Sequence, residues 1–285
     1  MASAKEIRGQ IKAIQNTAKI TKAMEMVAAS KMKKAQDKVV AARAYADGVA
    51  QVIANLMQAH PEYKHPFISG REEVKKVAIL VITTDKGLCG GLNSNALKLA
   101  LKVFKEQKTD VDALNIGRRG GAFMHRIGAS VSGSVENIPD TPDLIDIFGV
   151  IELAMDRFMA GEYDEVHLVY SKFINTMTQQ PETLRLLPCP MPGEPTHGGY
   201  WDYIYEPEAK DVLNGLLRRY VESLVYHGVL ENKACEQSAR MVAMKSATDN
   251  AKDIVRDLSI TYNKARQAAI TQELAEICAG AAAAQ

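Results

Sequence analysis

The 285 residues balance 35 Lys and Arg against 34 Asp and Glu, and 47% are apolar, as expected for a soluble globular chain with one large or two small domains. The longest continuous apolar run, Val77–Ile82, is too short to span a bilayer, and the opening MASAKEIRGQ holds no apolar signal core or separable presequence. The four scattered cysteines, Cys89, Cys189, Cys235 and Cys278, argue against a zinc site and for a reducing compartment.

The first proline is Pro61, and the stretch before it reads as one helix. Apolar residues recur at alternating spacings of three and four: Ile7, Ile11, Ile14, Ala18, Thr21, Glu25, Ala28, Met32, Ala35, Val39, Ala42, Ala46, Val49, Ile53, Leu56. Only Thr21 and Glu25 break the pattern, which is that of a coiled-coil seam. Such a helix would be roughly 85 Å long at 1.5 Å per residue and needs a partner along its length. Residues 1–58 hold ten basic side chains against four acidic ones, a net of +6. That excess reads as a solvated helix face, or as a surface for an acidic groove or nucleic acid. Where Thr21 and Glu25 interrupt the seam, Ile20, Met24 and Val27 form a second apolar line, giving either a locally shifted register or a two-sided helix.

Beyond Pro61 and Pro66, VKKVAILVITT (74–84) reads as a buried strand and DKGLCGGLNSN as a loop. A helix is expected over 96–107, a strand over 111–116, a short helix over 118–126 and a strand over 131–138. Pro142 is placed to start a helix running to Met159. Val166–Phe173 reads as a strand, with weaker ones at 183–187 and 203–205, either side of the Pro/Gly-rich loop 188–199. Strands alternating with helices predict an α/β domain with a largely parallel, Rossmann-like sheet.

From Glu208 onward there is again no proline. Met244, Ala247, Ala251, Ile254, Leu258, Thr261, Ala265, Ala268, Gln272, Ala275 and Ala279 repeat the spacing, with an alanine-rich seam that allows close helix approach. The expected division is 1–60 as the N-terminal coiled-coil helix, 61–207 as an inserted α/β domain and 208–285 as the C-terminal helix, the two helices pairing antiparallel.

No catalytic constellation emerges. TTDKGLCGGLN sits between strand and helix, where phosphate loops occur, but lacks the P-loop lysine pattern, and GRRGG (117–121) is equally far from a dinucleotide fingerprint. The six histidines show no metal-ligand spacing, and Cys89 reads as a buried small residue. No cofactor or metal is expected. The rival readings are a nucleotide-binding α/β enzyme with helical dimerisation arms, and a coiled-coil adaptor holding nucleic acid, the latter ranked last because its basic arm lacks aromatic interleaving.

Three stretches carry a family resemblance: IRGQIKAIQNTAKITKAMEMVAASKMKKAQ at the start, TTDKGLCGGLN after the first strand, and ENKACEQSARMVAMKSATDNAKD with YNKARQAAITQELAEI near the end. Together they resemble the γ-subunit family of bacterial F-type ATP synthases. The resemblance implies a non-catalytic central shaft, present in one copy. Its partners would be three α and three β subunits of the catalytic head, the ε subunit and the membrane c-ring, with no nucleic acid. It implies a peripheral place on the cytoplasmic face of the cell membrane. It also implies coupling contacts with the head at Lys22, Met24 and Arg240, and at Arg266, Gln267, Thr271, Gln272 and Glu273. The foot near ε and the ring would be formed by Trp201, Tyr203, Tyr205 and Glu206.

Overall fold

A computed structural model describes residues 4–60, 62–71, 73–107, 109–190, 206 and 208–283. Two long helices, α1 (Ala4–Ala59) and α6 (Ala209–Ala283), flank the α/β elements in the chain. The chain forms two compact units, one of Met1–Ala28 with Met241–Gln285, the other Ala29–Arg240.

The larger unit is built on a five-stranded sheet in the order β3-β2-β1-β4-β5. Its strands are β1 (Lys76–Ile82), β2 (Asp110–Ile116), β3 (Ser130–Val135), β4 (Glu165–Phe173) and β5 (Gln179–Leu187). The first four run parallel and β5 pairs antiparallel to β4 at the edge. Central β1 is buried from Val77 to Ile82, which is why it reads as a continuous apolar run rather than an alternating one. Its side chains divide between two cores. Ala78, Leu80 and Ile82 face α5 (Phe148–Ala160), the Leu213–Val229 stretch of α6 and Ile53 and Leu56 of α1. Val77, Ile79 and Val81 face α3 (Leu92–Glu106) and α4 (Arg118–Arg126).

Several boundaries differ from the sequence expectation. Helix α3 starts at Leu92, four residues early, because Gly91 serves as its N-cap. The helix expected from Pro142 is split: Asp143 and Asp146 close a capping box around a short 3-10 turn, Leu144–Asp146, and α5 starts only at Phe148. Strand β5 is nine residues long, its alternation masked by polar residues on an edge strand. A one-turn helix, α2 (Pro66–Ser69), goes unforeseen; the His65 ring accepts the Phe67 N–H to start it. The strand expected at 203–205 lies outside the described residues.

Two buried carboxylates fasten the amino-terminal end of this sheet. Asp112 accepts from Tyr163 Oη (2.6 Å) and from Ser132, with Arg157 Nη1 at 3.3 Å. Asp164 accepts from the backbone N–H groups of Lys75 (2.7 Å) and Lys76 (2.9 Å) and from Arg71 Nη1 (2.8 Å). Burial pushes both carboxyls up, but these hydrogen bonds and the neighbouring cations outweigh it, and both lie below the ordinary aspartate value. Their contribution to stability is therefore complete above about pH 4, the unfolded value, and is lost as pH falls through the folded values. Thermal melts of the purified chain should show Tm falling as pH drops below about 4. Asp112→Asn and Asp164→Asn variants should melt lower at neutral pH and show a flatter acid profile.

Candidate functional site

In the smaller unit, the first turns of α1 pack on α6 beyond Met241. Ile7, Thr21 and Ala28 are buried, with Ile11, Ile14, Ala18 and Glu25 half-buried, so the expected α1 seam is the packed face. Thr21 Oγ1 and Thr248 Oγ1 meet at 2.7 Å inside the contact. Residues 251–265 of α6 are covered at Ala251, Val255, Leu258, Tyr262 and Ala265, and only the part of α1 before Thr21 is available to cover them, so the pair is antiparallel.

That pairing corrects the α6 seam. Ile254 is 48% exposed and Thr261 is exposed; Val255 and Tyr262 face the partner instead. Positions 244, 251, 258 and 265 belong to both possible registers, and the Thr21–Thr248 contact selects the one in which the intermediate residue falls four, not three, later. The seam also ends early. Seventeen residues back from Thr21 is Ala4, where α1 begins, and seventeen on from Thr248 is Ala265. Residues 266–279 are exposed throughout, so Ala268, Gln272, Ala275 and Ala279 are not seam residues in this chain.

Among the residues singled out in the sequence, Lys22 is exposed and pairs with Glu25 at 3.0 Å, an ion pair of small energetic value at the surface. Met24 is half-buried beside it, while Ile20, Met26 and Val27 are exposed. Lys19, Lys22 and Lys252 rim a cleft floored by Ala18, Ala23, Met26 and Thr248. Arg266, Gln267, Thr271, Gln272 and Glu273 all lie on the exposed end of α6, where Gln272 donates to Glu276 at 2.9 Å. Between them runs a feature missed in the sequence: Ile270, Leu274 and Ile277 are exposed at helical spacing and form an uncovered apolar stripe. Its i, i+4, i+7 pattern was legible, but it competes with the alanine seam over the same residues.

Arg240, in the larger unit, is buried rather than presented to solvent. Its guanidinium donates to Glu236 Oε1 (2.6 Å), Gln237 Oε1 (3.2 Å) and the Gly87 carbonyl (3.2 Å). Glu206 is exposed; Trp201, Tyr203 and Tyr205 lie outside the described residues.

The glycine loop after β1 is tied up by its own side chains. Asn93 accepts from Thr84 N–H (3.1 Å) and donates to Thr84 Oγ1 (2.7 Å) and Cys89 Sγ (3.3 Å). Asp85 accepts from the N–H groups of Arg118, Asn137 and Ile138. Cys89 is buried, and burial raises its thiol pKa, the reverse of what an activated nucleophile needs. Strand order reverses between β1 and β4, the switch point where open α/β sheets hold their ligands beyond the carboxyl ends of the strands. Here α6 crosses that place. A Cβ on Gly228 would lie 3.2 Å from Ile82 and 3.3 Å from Leu168, and Cys235 packs with Cys89, Leu92 and Phe173.

An α/β body whose ligand crevice is filled by its own helix, joined in sequence to a closely packed helix pair with one bare end, defines a subunit that works through protein surfaces. The family model described as ATP synthase matches residues 3–284. Curated relatives called ATP synthase gamma chain, from Thiobacillus denitrificans and Legionella pneumophila, are each 52% identical over 99% of this chain and all of theirs. The central stalk and c-ring structure of Tetrahymena thermophila mitochondrial ATP synthase contains a chain similar at TM-score 0.63 and 26% identity, covering 80% of this chain and 99% of that one. A chain of the Euglena gracilis mitochondrial assembly shares the fold at TM-score 0.68 and 16% identity, covering 98% and 94%. The chain belongs to the ATP synthase gamma-chain family. It is a rotor subunit of that complex, coupling rotation to ATP synthesis and hydrolysis, and not itself a catalytic one. Among the described residues no helix is long and apolar enough to cross a membrane.

Proposed function

We propose that this chain stands as a single copy in a head of three α and three β subunits, with ε and the membrane c-ring at its foot, on the cytoplasmic face of a bacterial membrane. The observation that carries this reading is the bare end of α6. A helix that outruns its partner and exposes Ile270, Leu274 and Ile277 among Arg266, Gln267, Thr271, Gln272 and Glu273 needs a surrounding protein to cover it. Lys22, on the rim of the lysine cleft, and Met24, on another side of α1, meet acidic loops of the head. Arg240 acts through the glycine loop whose Gly87 carbonyl it holds. Trp201, Tyr203, Tyr205 and Glu206 belong to the foot. The rival reading, a nucleotide-binding enzyme, finds no support at the switch-point crevice, which α6 occupies.

Purification of the complex from its native membrane, with subunit copy number counted by mass, tests the assembly; absence of this chain, or more than one copy beside three large ATPase subunits, would overturn it. Met24→Lys tests the contact. A new cation on this stretch of α1 should hold acidic groups of the head in place. ATP hydrolysis should persist while proton pumping per ATP falls in membrane vesicles; unchanged pumping would refute the placement of Met24.

A further inference from the structure

Helix α6 is buried on every side from Gly228 to Ser238, yet this stretch is largely polar. Four of its side chains, counting Arg240 just beyond, donate to backbone carbonyls beyond or near the carboxyl ends of three strands. Lys233 Nζ reaches Ile138 O after β3 (3.1 Å), and Arg240 Nη2 reaches Gly87 O after β1 (3.2 Å). Cys235 Sγ reaches Ser171 O in β4 (3.3 Å), and Ser238 Oγ reaches Thr176 O in the turn that follows (2.6 Å).

The positions matter as much as the bonds. Lys233 and Arg240 are seven residues apart and project from one side of the helix; Cys235 and Ser238 project from the other, roughly 140–200° round. The helix is held from both sides, by the β1 and β3 loops on one and by β4 and its turn on the other. These bonds contribute stability, because an apolar side chain in the slot would leave a backbone carbonyl without its donor. Apolar packing, moreover, is non-directional and lets a helix roll about its axis, whereas hydrogen bonds to fixed carbonyls hold one angle.

We propose that this two-sided grip is the torque key of the subunit: it locks α6 rotationally to the α/β body, so that twist applied to the body turns the helix without slip. Lys233, Cys235 and Ser238 are positioning residues for coupling. The inference rests on the rotor reading of the chain.

The experiment uses the assembled complex in membrane vesicles, carrying Lys233→Met with Ser238→Ala. Glu236 keeps Arg240 as its partner in this variant, so no buried charge is stranded. ATP hydrolysis and ATP-driven proton pumping are measured at equal complex content against rising opposing proton gradients. Hydrolysis should stay within about twofold of wild type, while pumping per ATP falls on the order of threefold, more steeply as the opposing gradient rises. Ser238→Thr, which keeps the hydroxyl donor, should pump like wild type. A merely structural role would lower complex content, or hydrolysis and pumping together, with no dependence on load. Pumping per ATP equal to wild type at every gradient would overturn the proposal. If the double variant fails to assemble, Ser238→Ala alone decides by the same two outcomes. Failure of the rotor reading would look different: vesicles lacking this chain altogether would still pump.

Discussion

Gly117→Ala should leave little or no soluble chain and no assembled complex. Gly117 sits between β2 and α4 with φ at +99°, a backbone conformation L-residues rarely adopt. A Cβ there would lie 2.3 Å from the Thr83 carbonyl oxygen and 2.8 Å from its carbon. Neither can retreat: Thr83 N–H donates to Ile116 O (2.8 Å), Gly117 N–H donates to Val135 O (2.7 Å), and Thr83 Oγ1 accepts from Gly120 N–H (2.8 Å). The junction of three parallel strands and a helix start would have to open. Strain of this kind and the lost bonds should together cost on the order of 3–5 kcal/mol, against a total stability of about 5–15. Gly9→Ala and Gly48→Ala make the control. A Cβ on either meets nothing within 4 Å, and both lie inside α1, so each should raise stability by about 0.5–1 kcal/mol. Soluble yield and thermal melts of the three purified variants check the contrast.

The second large effect separates two apolar residues that look alike in the sequence, both standing on an apparent coiled-coil seam. Leu56 of α1 is fully buried, packed with Ile53 into the core shared with the sheet, α5 and α6. Leu56→Ala should cost on the order of 2–5 kcal/mol, and the double change with Ile53→Ala more than either alone, the two being neighbours in one core whose losses do not simply add. Ile254→Ala, at a position 48% exposed, should cost below about 1 kcal/mol. Denaturant unfolding of the purified chain measures all three. A loss at Ile254 as large as that at Leu56 would mean the α6 register is the one first read from the spacing.

The acid profile, the Met24→Lys phenotype and the load dependence of the α6 grip rest on different residues, so each can fail without the others. Asp112 and Asp164 concern the sheet, Met24 a half-buried flank of the helix pair, and Lys233 with Ser238 the join of helix and sheet. Variants at these sites share no partner, and their effects on stability should add.

What the sequence by itself determined is whatever periodicity and punctuation encode locally. Proline-free stretches with a three-and-four apolar spacing determined α1 and α6, and the run Val77–Ile82 determined a central strand buried on both faces. Arg118–Arg126 was readable as a helix to the residue. The long terminal motifs carried the family. Other features depended on residues far apart in the chain, and only the tertiary structure decided them. The α6 register turned on which threonine faces Thr21, because Met244, Ala251, Leu258 and Ala265 serve either choice. The burial of Arg240 and of the polar stretch before it was illegible, since charged residues on a helix ordinarily mark a solvated face; here the carbonyls of Gly87, Ile138 and Thr176 satisfy the donors instead. The glycine loop after β1 stands where phosphate loops occur, and its missing P-loop pattern favoured a structural turn, but what fills the space beyond it was not readable. A sequence shows that a crevice will form at the switch point of the sheet, but not that a helix more than a hundred residues away will fill it. Spacing reports which side chains share a face; what covers that face is settled by packing, where each buried polar group must find its partner.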